Sequence, residues 1–451
     1  MSTVDRTRLA ELHARERQAF IEARPRSRAL AEQALAHMPG GVPMSWMVKW
    51  PGDFPVFVAE AAGAHFTCVD GIDHVDLCLG DTGAMMGHSP GPTVDAVTRQ
   101  LGRGITTMLP TEDAIAVSTG LAQRFGLPFW QFTLTATDAN RHAIRYARHL
   151  TGRSKVVVHN WCYHGSVDEA FATLGPDGAT TNRPGNIGAP VPTSETTRVV
   201  EFNDLDALEQ ALAHGDVAAV LVEPALTNIG IVLPDPGYNE GVRELATRYG
   251  ALLVNDETHT ICAGPGGYTG VHGLEPDLLV IGKSIGGGIP CGTFGFSQEI
   301  ADRIATSVEL EEIDVGGIGG TLAGNGLSMA AMKATLEQVM TPEAFAHMVP
   351  LADAWADGVQ AGIDAVGADW HVTRLGARAE YNFSKTPSRN GTEAHDADDF
   401  DLQQYLHLYA LNRSILLTPF HNMALMSPAT TAADVDAHTE MFHACLEELF
   451  A

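Results

Sequence analysis

The sequence predicts an α/β fold, in which a mostly parallel sheet is covered by helices on both faces. Apolar runs that read as strands recur from about residue 90 onwards, at 156–159, 218–224, 251–257 and 277–283. Helical patterns separate these runs, as in Gly241 to Tyr249. Regular alternation of strands and helices is typical of a parallel sheet buried on both faces. A chain of 451 residues exceeds one simple core, so two domains are expected.

The texture of the sequence changes twice, and the changes predict three segments. Residues 1–75 hold a charged helical stretch and short β-like runs, and they are expected to pack with the small domain. Residues 76–338 carry the alternating pattern and form the predicted large domain. Residues 339–451 form a predicted smaller α+β domain. In the N-terminal segment, a helix is expected over 6–37, and short β-like runs are expected at 54–58 and at 65–79, the latter with a turn at Asp70-Gly71. In the small domain, long helices are expected at 343–366, 398–412 and 432–449.

Charge and composition exclude several classes of partner. The formal net charge of -27 disfavours nucleic acid and anionic membrane surfaces. No run of about 18 apolar residues is present, and the charged N-terminus lacks the apolar core of a signal peptide. The six cysteines form no C-x-x-C pair, which favours reduced thiols in a cytoplasmic protein. We predict no metal site.

Two polar residues stand at the ends of predicted buried strands. Lys283 follows the run that starts at Asp277, and Asp256 follows the run that starts at Ala251. Parallel sheets bind ligands at the carboxyl ends of their strands, where a desolvated lysine is a good imine-forming amine. A buried carboxylate needs a cationic partner, such as a protonated pyridine nitrogen. Taken singly, Lys283 also fits a surface loop and Asp256 also fits a helix N-cap.

Two further motifs come from the first half of the predicted large domain. Thr133 to Ala139 places small hydroxyl residues before a helix expected at Asn140 to Thr151, and such a helix start attracts an anion. Trp161-Cys162-Tyr163-His164-Gly165 directly follows a predicted strand, where an aromatic ring can stack on a flat cofactor. When each motif is taken alone, ordinary helix capping is favoured for the first, and a core tyrosine at a strand end is the alternative for the second.

Taken together, these motifs resemble the class III aminotransferases, which are fold type I pyridoxal-phosphate enzymes. The order and spacing that carry the resemblance are those of Glu223-Pro224, Asp256-Glu257, Gly282-Lys283 with Gly286-Gly287-Gly288, and Gly320-Thr321-Leu322-Ala323-Gly324-Asn325. The resemblance covers about residues 35–445 and is closest to glutamate-1-semialdehyde aminomutases and related aminotransferases. It implies a seven-stranded type of sheet, a pyridoxal 5'-phosphate cofactor, and a small-molecule amine donor with a carbonyl acceptor.

The resemblance also implies a role for individual residues. Lys283 matches the Schiff-base lysine that shuttles a proton, and Asp256 matches the partner of the pyridinium nitrogen. Tyr163 matches the ring-stacking aromatic. Thr321 matches the threonine that reaches the phosphate of a neighbouring subunit, which implies a homodimer. Ala136 and Thr137 match a phosphate-binding pair, and Asn228 matches an asparagine near the cofactor hydroxyl. Glu223 matches an active-site glutamate, and Thr258 matches a residue packed on the ring.

The sequence departs from the family pattern at several of these positions. Ala136 stands where the family has glycine, and an alanine still offers its N–H unless the turn requires a positive φ. Thr258 stands where many members have valine, and its hydroxyl needs a partner. No arginine follows Gly40-Gly41-Val42, although aminomutases hold the substrate carboxylate with one there. The gating glutamate of aminomutases is also missing near Phe420 and His421.

These departures bear on the substrate. Trp46, Met47, Trp50 and Met423 are expected either to line an apolar pocket for a bulky amine or ketone, or to pack an interface between domains. His421 is a further candidate substrate residue. Arg378 is a candidate anchor for a carboxylate, and its alternative is a salt bridge near Glu380. We predict a transaminase, because the missing carboxylate clamp suits an external pair of amino donor and acceptor. An aminomutase, lyase or racemase is the alternative, because these enzymes use the same lysine.

Two unrelated activities match the motifs less well. Gly282 to Gly286 reads G-x-S-x-G, as around the nucleophile of a serine hydrolase at Ser284, but Pro290 and the glycines before it do not start the required helix. Gly282-Lys283-Ser284 also resembles the end of a P-loop, but Asp277 occupies the position that needs glycine. The intact pair of Lys283 and Asp256 argues against a non-catalytic relative.

Overall fold

The computed structural model describes residues 4–307 and 317–451, and the chain divides into two compact units. The first unit comprises Met1–Pro90, Glu343–Pro387 and Ala397–Ala451. The second comprises Gly91–Pro342 and Ser388–Asp396. The boundary expected between residues 75 and 76 falls inside the strand Asp73–Asp76, and the first unit continues to Pro90. Residues 388–396, expected in the small domain, belong to the second unit.

The helices follow the predicted order, and their bounds refine it. In chain order they are α1 (Arg6–Ala23), α2 (Pro25–Ala34), α3 (Gly91–Leu101), α4 (Glu112–Phe125), α5 (Ala136–Thr151), α6 (Leu205–Ala213), α7 (Tyr238–Tyr249), α8 (Gly267–His272), α9 (Gln298–Ser307), α10 (Gly326–Gln338), α11 (Pro342–Val366), α12 (Gly391–Asp396), α13 (Phe400–Asn412) and α14 (Ala432–Phe450). The single helix expected over 6–37 is wrong, because Pro25 starts a new helix and cannot continue the previous one.

The strands form four sheets within the described residues. In chain order they are β1 (Val58–Ala62), β2 (His65–Cys68), β3 (Asp73–Asp76), β4 (Phe129–Thr133), β5 (Lys155–His159), β6 (Ala172–Leu174), β7 (Thr180–Asn182), β8 (Thr197–Val200), β9 (Val217–Val222), β10 (Leu252–Asp256), β11 (Leu278–Gly282), β12 (Gly292–Phe296), β13 (His371–Leu375), β14 (Arg378–Asn382), β15 (Ile415–Leu416) and β16 (Met423–Leu425). The strand expected at 54–58 is wrong, since β1 begins only at Val58 and extends through more exposed residues.

The second unit is built on a seven-stranded sheet of the described residues, in the order β4-β12-β11-β10-β9-β5-β8. The pairs from β11 to β8 are parallel, and β12 runs antiparallel to both of its neighbours. The predicted mostly parallel sheet is therefore confirmed. Val156 and Val158 belong to one apolar core and Val157 to another, so side chains alternate between two buried faces.

The first unit contains the long helices and two smaller sheets. One sheet has the order β1-β2-β3-β15, and the other has the order β13-β14-β16. Within the first sheet, β15 pairs in parallel with β3, so a strand from the C-terminal part of the chain and strands from the N-terminal part share one sheet. N-terminal and C-terminal segments thus form one unit, as α1 and α13 also do.

Two further observations concern the cysteines and the lengths of the helices. All six cysteines are free and buried. Within residues 4–307 and 317–451, none of the helices combines the length and the apolar character that crossing a membrane requires.

Candidate active site

The predicted cofactor residues collect at one edge of the seven-stranded sheet. Asp256 ends β10, Lys283 directly follows β11, and Glu223 directly follows β9. These neighbouring strands are parallel, so their carboxyl ends lie side by side. The segment that carries Tyr163 follows β5, which is parallel to β9. This edge is where open α/β sheets bind ligands.

Asp256 is a buried carboxylate held by three hydrogen bonds. Asn140 Nδ2 donates to Asp256 Oδ2 over 2.7 Å, and His164 Nδ1 lies 3.0 Å from the same oxygen. The backbone N–H of Thr258 donates to Oδ1 over 3.0 Å. Both ring and carboxylate are almost completely shielded from solvent. Three fixed partners hold the carboxylate in a single orientation.

The electrostatics of this cluster favour a charged pair. Burial alone would raise the pKa of Asp256, but the hydrogen bonds from His164, Thr258 and Asn140 and the charge of His164 outweigh it, so the pKa lies below its usual value. Burial alone would lower the pKa of His164, but Cys162 and Asp256 raise it well above its usual value. Asp256 is therefore an anion at neutral pH and can pair with a further cation.

The N-terminus of α5 forms the anion-binding part of the site. The helix begins at Ala136, four residues before the start expected at Asn140, because the Thr135 side chain caps it by accepting from the Asp138 N–H over 3.1 Å. The first N–H groups of a helix have no partner within it and carry a partial positive charge. Ala136 and Thr137 lie in this first turn. Ala136 is accommodated in ordinary helical conformation, so the family's glycine is not required.

The loop after β5 reaches the same helix end. The backbone N–H of Ser166 donates to Thr137 Oγ1 over 3.1 Å. The preceding residue, Gly165, has a φ of +74°, and a Cβ atom there would lie 2.1 Å from Thr137 Oγ1. No side chain fits at this approach, so glycine is needed at 165. Tyr163, half-buried two residues earlier, packs edge-on against Phe171 with ring centroids 6.1 Å apart.

Lys283 stands beside the anion-binding turn. A Cβ atom on the preceding Gly282 would lie 3.0 Å from Ala136 Cβ and 3.1 Å from Ala136 N, so the two backbones nearly touch. Lys283 itself has a φ of +52°, a left-handed conformation that costs a non-glycine residue roughly 1–2 kcal/mol. Its Nζ lies 2.6 Å from His259 Nε2. Strain of this kind is typical of residues whose position serves function.

Of the other predicted cofactor residues, Glu223, Asn228 and Thr258 lie in or contact segments that follow strands at this edge. Glu223 is buried and accepts from the Thr227 N–H over 3.1 Å and from the Thr227 hydroxyl, while burial raises its pKa above the usual value. Asn228 Nδ2 donates to the Trp161 carbonyl oxygen over 2.9 Å. Thr258 is buried, and its hydroxyl has no hydrogen-bond partner among the residues that the structure describes. Thr321 is exposed and precedes α10.

The predicted substrate residues all belong to the first unit. Trp46 packs edge-on against Phe420, with centroids 5.7 Å apart, and Phe420 packs on His421 in the same way at 5.5 Å. Met47 and Trp46 are each 38% exposed. Trp50 is half-buried, and Met423 is completely buried in β16, so Met423 is a core residue rather than a pocket residue.

Arg378 forms a buried ion pair on β14. Its Nη2 lies 3.0 Å from Glu380 Oε2, and His421 Nδ1 lies 3.3 Å from Glu380 Oε1. Burial alone would raise the pKa of Glu380, but His421 and Arg378 outweigh it and lower the pKa. The salt bridge that the sequence offered as the alternative for Arg378 is therefore present. Its charge is already balanced by a carboxylate within the chain.

Three polar residues of the site have no role assigned from the sequence. Asn140 and His164 hold Asp256, and His259 contacts Lys283. Asn140 was expected to start the helix rather than to lie within it. His164 and His259 each stand within a few residues of a predicted site residue, which is the signal that marks them. Ser284 is completely buried, so its hydroxyl is not presented as a nucleophile elbow requires.

The residues at this edge fit a flat, anionic cofactor with a basic ring nitrogen. The start of α5 and Thr137 suit a phosphate, and the anionic Asp256 suits a protonated pyridine nitrogen. The orphaned, buried hydroxyl of Thr258 is a polar group that a bound molecule can satisfy. Lys283 supplies the amine from the end of the strand next to that of Asp256, beside the start of α5.

Comparison with known proteins leads to the same family. The model of the family "Aminotransferase class-III" matches residues 47–445. A glutamate-1-semialdehyde 2,1-aminomutase from Anaeromyxobacter dehalogenans (strain 2CP-C) is 33% identical over 416 residues, which are 91% of this chain and 95% of that protein. The crystal structure of a glutamate-1-semialdehyde aminomutase from Pseudomonas aeruginosa PAO1 is 51% identical, with a TM-score of 0.97 and 99% of each chain covered.

A more distant structure carries a different activity on the same fold. The ω-transaminase from Sphaerobacter thermophilus is 28% identical, with a TM-score of 0.85, and the match covers 94% of this chain and 98% of that one. The comparisons confirm the fold class and the pyridoxal-phosphate cofactor that the motifs predicted. The chain belongs to the class III aminotransferases, which are fold type I enzymes that use pyridoxal phosphate.

Proposed function

We propose that this enzyme is a transaminase that moves an amino group between an amine and a carbonyl compound at Lys283, and that it accepts apolar or bulky amines. The observation that carries the general reaction is the meeting of Lys283, Asp256 and the start of α5 at one sheet edge. A covalent amine, a fixed anion and an anion-binding helix end are the three elements that pyridoxal-phosphate chemistry requires.

Each of these residues has a distinct task in the proposed reaction. When bound, pyridoxal phosphate supplies an electron sink for the bonds at the substrate carbon. Asp256 would hold the proton of the pyridine nitrogen in place, because its own charge persists when it is buried. Ala136 and Thr137 would hold the phosphate. Tyr163 would pack on the ring, with Glu223, Asn228 and Thr258 around it. Lys283 would attach the cofactor and move a proton at the substrate carbon.

Two features of the first unit support an apolar substrate. The aromatic contacts of Trp46, Phe420 and His421 provide a surface for an apolar group. No arginine occurs between Val42 and Trp50. Arg378 is paired with Glu380, so its charge is already balanced by a carboxylate within the chain.

An aminomutase is the second candidate, and the names of the relatives favour it. Proteins 33% and 51% identical to this chain are named as glutamate-1-semialdehyde aminomutases. An aminomutase returns the amino group to the same molecule, so it must retain a substrate that carries a carboxylate. The missing arginine and the paired Arg378 are the reasons for ranking this activity second.

Half-reactions with a panel of amino donors separate the two proposals. We expect 1-phenylethylamine to remove the long-wavelength absorbance of the bound cofactor at least about tenfold faster than L-glutamate, which corresponds to about 1.4 kcal/mol of selectivity. Glutamate-1-semialdehyde, with no other substrate, should give little of the isomer whose amino group has moved between C2 and C1. Response to α-amino acids alone contradicts the apolar-amine proposal, and rapid isomerisation establishes the aminomutase.

We also propose that the enzyme acts as a homodimer in which Thr321 reaches the phosphate of the neighbouring subunit. Large apolar side chains are exposed along residues 101–115 of the second unit, at Leu101, Ile105, Met108, Leu109 and Ile115, and a further one is exposed at Leu322, next to Thr321. Exposure of many apolar groups is typical of a surface that another chain covers. Light scattering should give twice the chain mass of 48.0 kDa. A monomeric mass for active enzyme contradicts this proposal.

A further inference from the structure

The contact between His259 and Lys283 joins the ends of two neighbouring strands. β10 and β11 run parallel, and Asp256 is paired in register with Val280. His259 lies three residues beyond Asp256, and Lys283 lies three residues beyond Val280, so the two residues leave the sheet side by side. His259 Nε2 and Lys283 Nζ are 2.6 Å apart, and both side chains are partly buried. This is a hydrogen-bond distance between two groups that both titrate.

The other titratable groups around this contact have partners of their own. On α10, which packs on the turn at Lys283, Lys333 pairs with Glu337 at 3.3 Å. On α8, which packs on the turn after His259, Tyr268 stacks on His272 at 3.9 Å. Asp256 is held by Asn140 and His164, and Glu257 accepts from Thr260 and from the N–H groups of Tyr268 and Thr269. Cys262 is buried in the turn after His259.

We propose that His259 is the group that exchanges a proton with Lys283. In the tautomer that carries its proton on Nδ1, the lone pair of His259 Nε2 meets the ammonium group of Lys283. The proton passes from Nζ to Nε2, so the lysine becomes a neutral amine and the imidazole becomes an imidazolium. No other bond changes, and the reverse transfer restores both groups. The proposal rests on the role of Lys283 given above.

The exchange would produce the neutral lysine amine that imine formation requires. A lysine ammonium is not a nucleophile, and an ordinary lysine is almost fully protonated near neutral pH. Histidine is the side chain that accepts and releases a proton in that range. A positioned base must lie about 2.6–3.2 Å from the atom that gives up the proton, and His259 meets that condition. A glutamine at this position can keep a hydrogen bond, but its amide does not take up a proton near neutral pH.

The test measures how fast the apoenzyme captures pyridoxal phosphate. Enzyme freed of cofactor is mixed with pyridoxal phosphate and quenched with borohydride at short times, and the modified Lys283 peptide is quantified by mass spectrometry. We expect His259→Ala and His259→Gln to slow capture at pH 7 by about 100-fold, the lower end of the effect of a positioned base. Added imidazole should restore the rate of His259→Ala. The difference should narrow at high pH, where a lysine amine loses its proton to solvent.

A matched histidine variant and the pattern of results keep the proposal falsifiable. His272→Ala, at the exposed C-terminal end of α8, should capture the cofactor at the wild-type rate with no response to imidazole. Wild-type capture by His259→Gln, or failure of imidazole to restore His259→Ala, overturns the proton exchange. If the wild-type enzyme itself gives no modified Lys283 peptide at any time, the proposed function fails instead, so the two failures are distinct.

Discussion

The Lys283→Ala variant is expected to lose transamination by at least about 10⁴-fold while it keeps its fold. The amine is the attachment point of the cofactor and the group that moves the proton at the substrate carbon, so one substitution removes two tasks. Alanine at the φ of +52° carries the same Cβ as lysine, and it adds no backbone strain. Single-turnover kinetics with an amine donor, together with the free energy of unfolding in urea, give the two quantities.

The control for this variant is another lysine of the same unit. Lys333 lies on α10, where it forms a partly exposed salt bridge with Glu337 one helical turn later. Lys333→Ala should retain wild-type turnover, and borohydride should still fix the cofactor to Lys283. If Lys283→Ala turned over at more than about a hundredth of the wild-type rate, Lys283 would not be the essential amine.

Asp256→Asn is expected to lower turnover by about 10³-fold or more, with little change in the amount of cofactor that is bound. The asparagine keeps the size of the side chain, but it removes the negative charge that would stabilise a protonated pyridine nitrogen. It also leaves His164 without its anionic partner in a buried position, where breaking an ion pair typically costs about 3–5 kcal/mol. The rate constant of the half-reaction and the unfolding free energy should therefore both fall.

The neighbouring carboxylate supplies the matched control. Glu257 is as deeply buried as Asp256, but it accepts from Thr260 and from two backbone N–H groups in the first turn of α8. Burial raises the pKa of Glu257, so a neutral amide there is a smaller change. Glu257→Gln should stay within about tenfold of wild-type turnover. If Asp256→Asn did the same, its charge would not contribute to the chemistry.

The charge of Asp256 also fixes the direction of a pH effect. Because its pKa is lowered in the folded protein, the stability that it contributes is present above the ordinary carboxyl pKa of about 3.9 and is lost as the pH falls through the lower folded value. Protonation of Asp256 therefore does not limit the enzyme at mildly acidic pH.

Much of the second unit could be predicted because its strands are buried on both faces. Such strands read as continuous apolar runs, and β5, β9, β10 and β11 lie within one or two residues of their predicted bounds. The polar residues that end these runs are conspicuous, so Lys283 and Asp256 could be found without coordinates. The antiparallel strand β12 could not be predicted, because two of the five residues of Gly292–Phe296 are glycines and the segment has no continuous apolar run.

The contacts between distant segments could not be predicted from the sequence. Helix α5 begins before Asn140 because Thr135 acts as its cap, and this change places Asn140 inside the helix, facing Asp256. The contact of His259 with Lys283 depends on the register of β10 against β11. Each of these is a property of three-dimensional register rather than of local pattern.

The segment Ser388–Asp396 affects when the second unit can be completed during synthesis. It belongs to the second unit, where Gly391 lies so close to the Asn160 carbonyl that an added Cβ would be 2.2 Å away, and His395 stacks on Trp161 at 3.9 Å. During translation, residues 343–387 of the first unit are synthesised before this segment. The cofactor unit is thus completed late in synthesis, after most of the chain has emerged. A fragment that stops at Pro342 leaves Asn160 and Trp161 uncovered, so an independently expressed cofactor unit has to include residues 388–396 through a new linker.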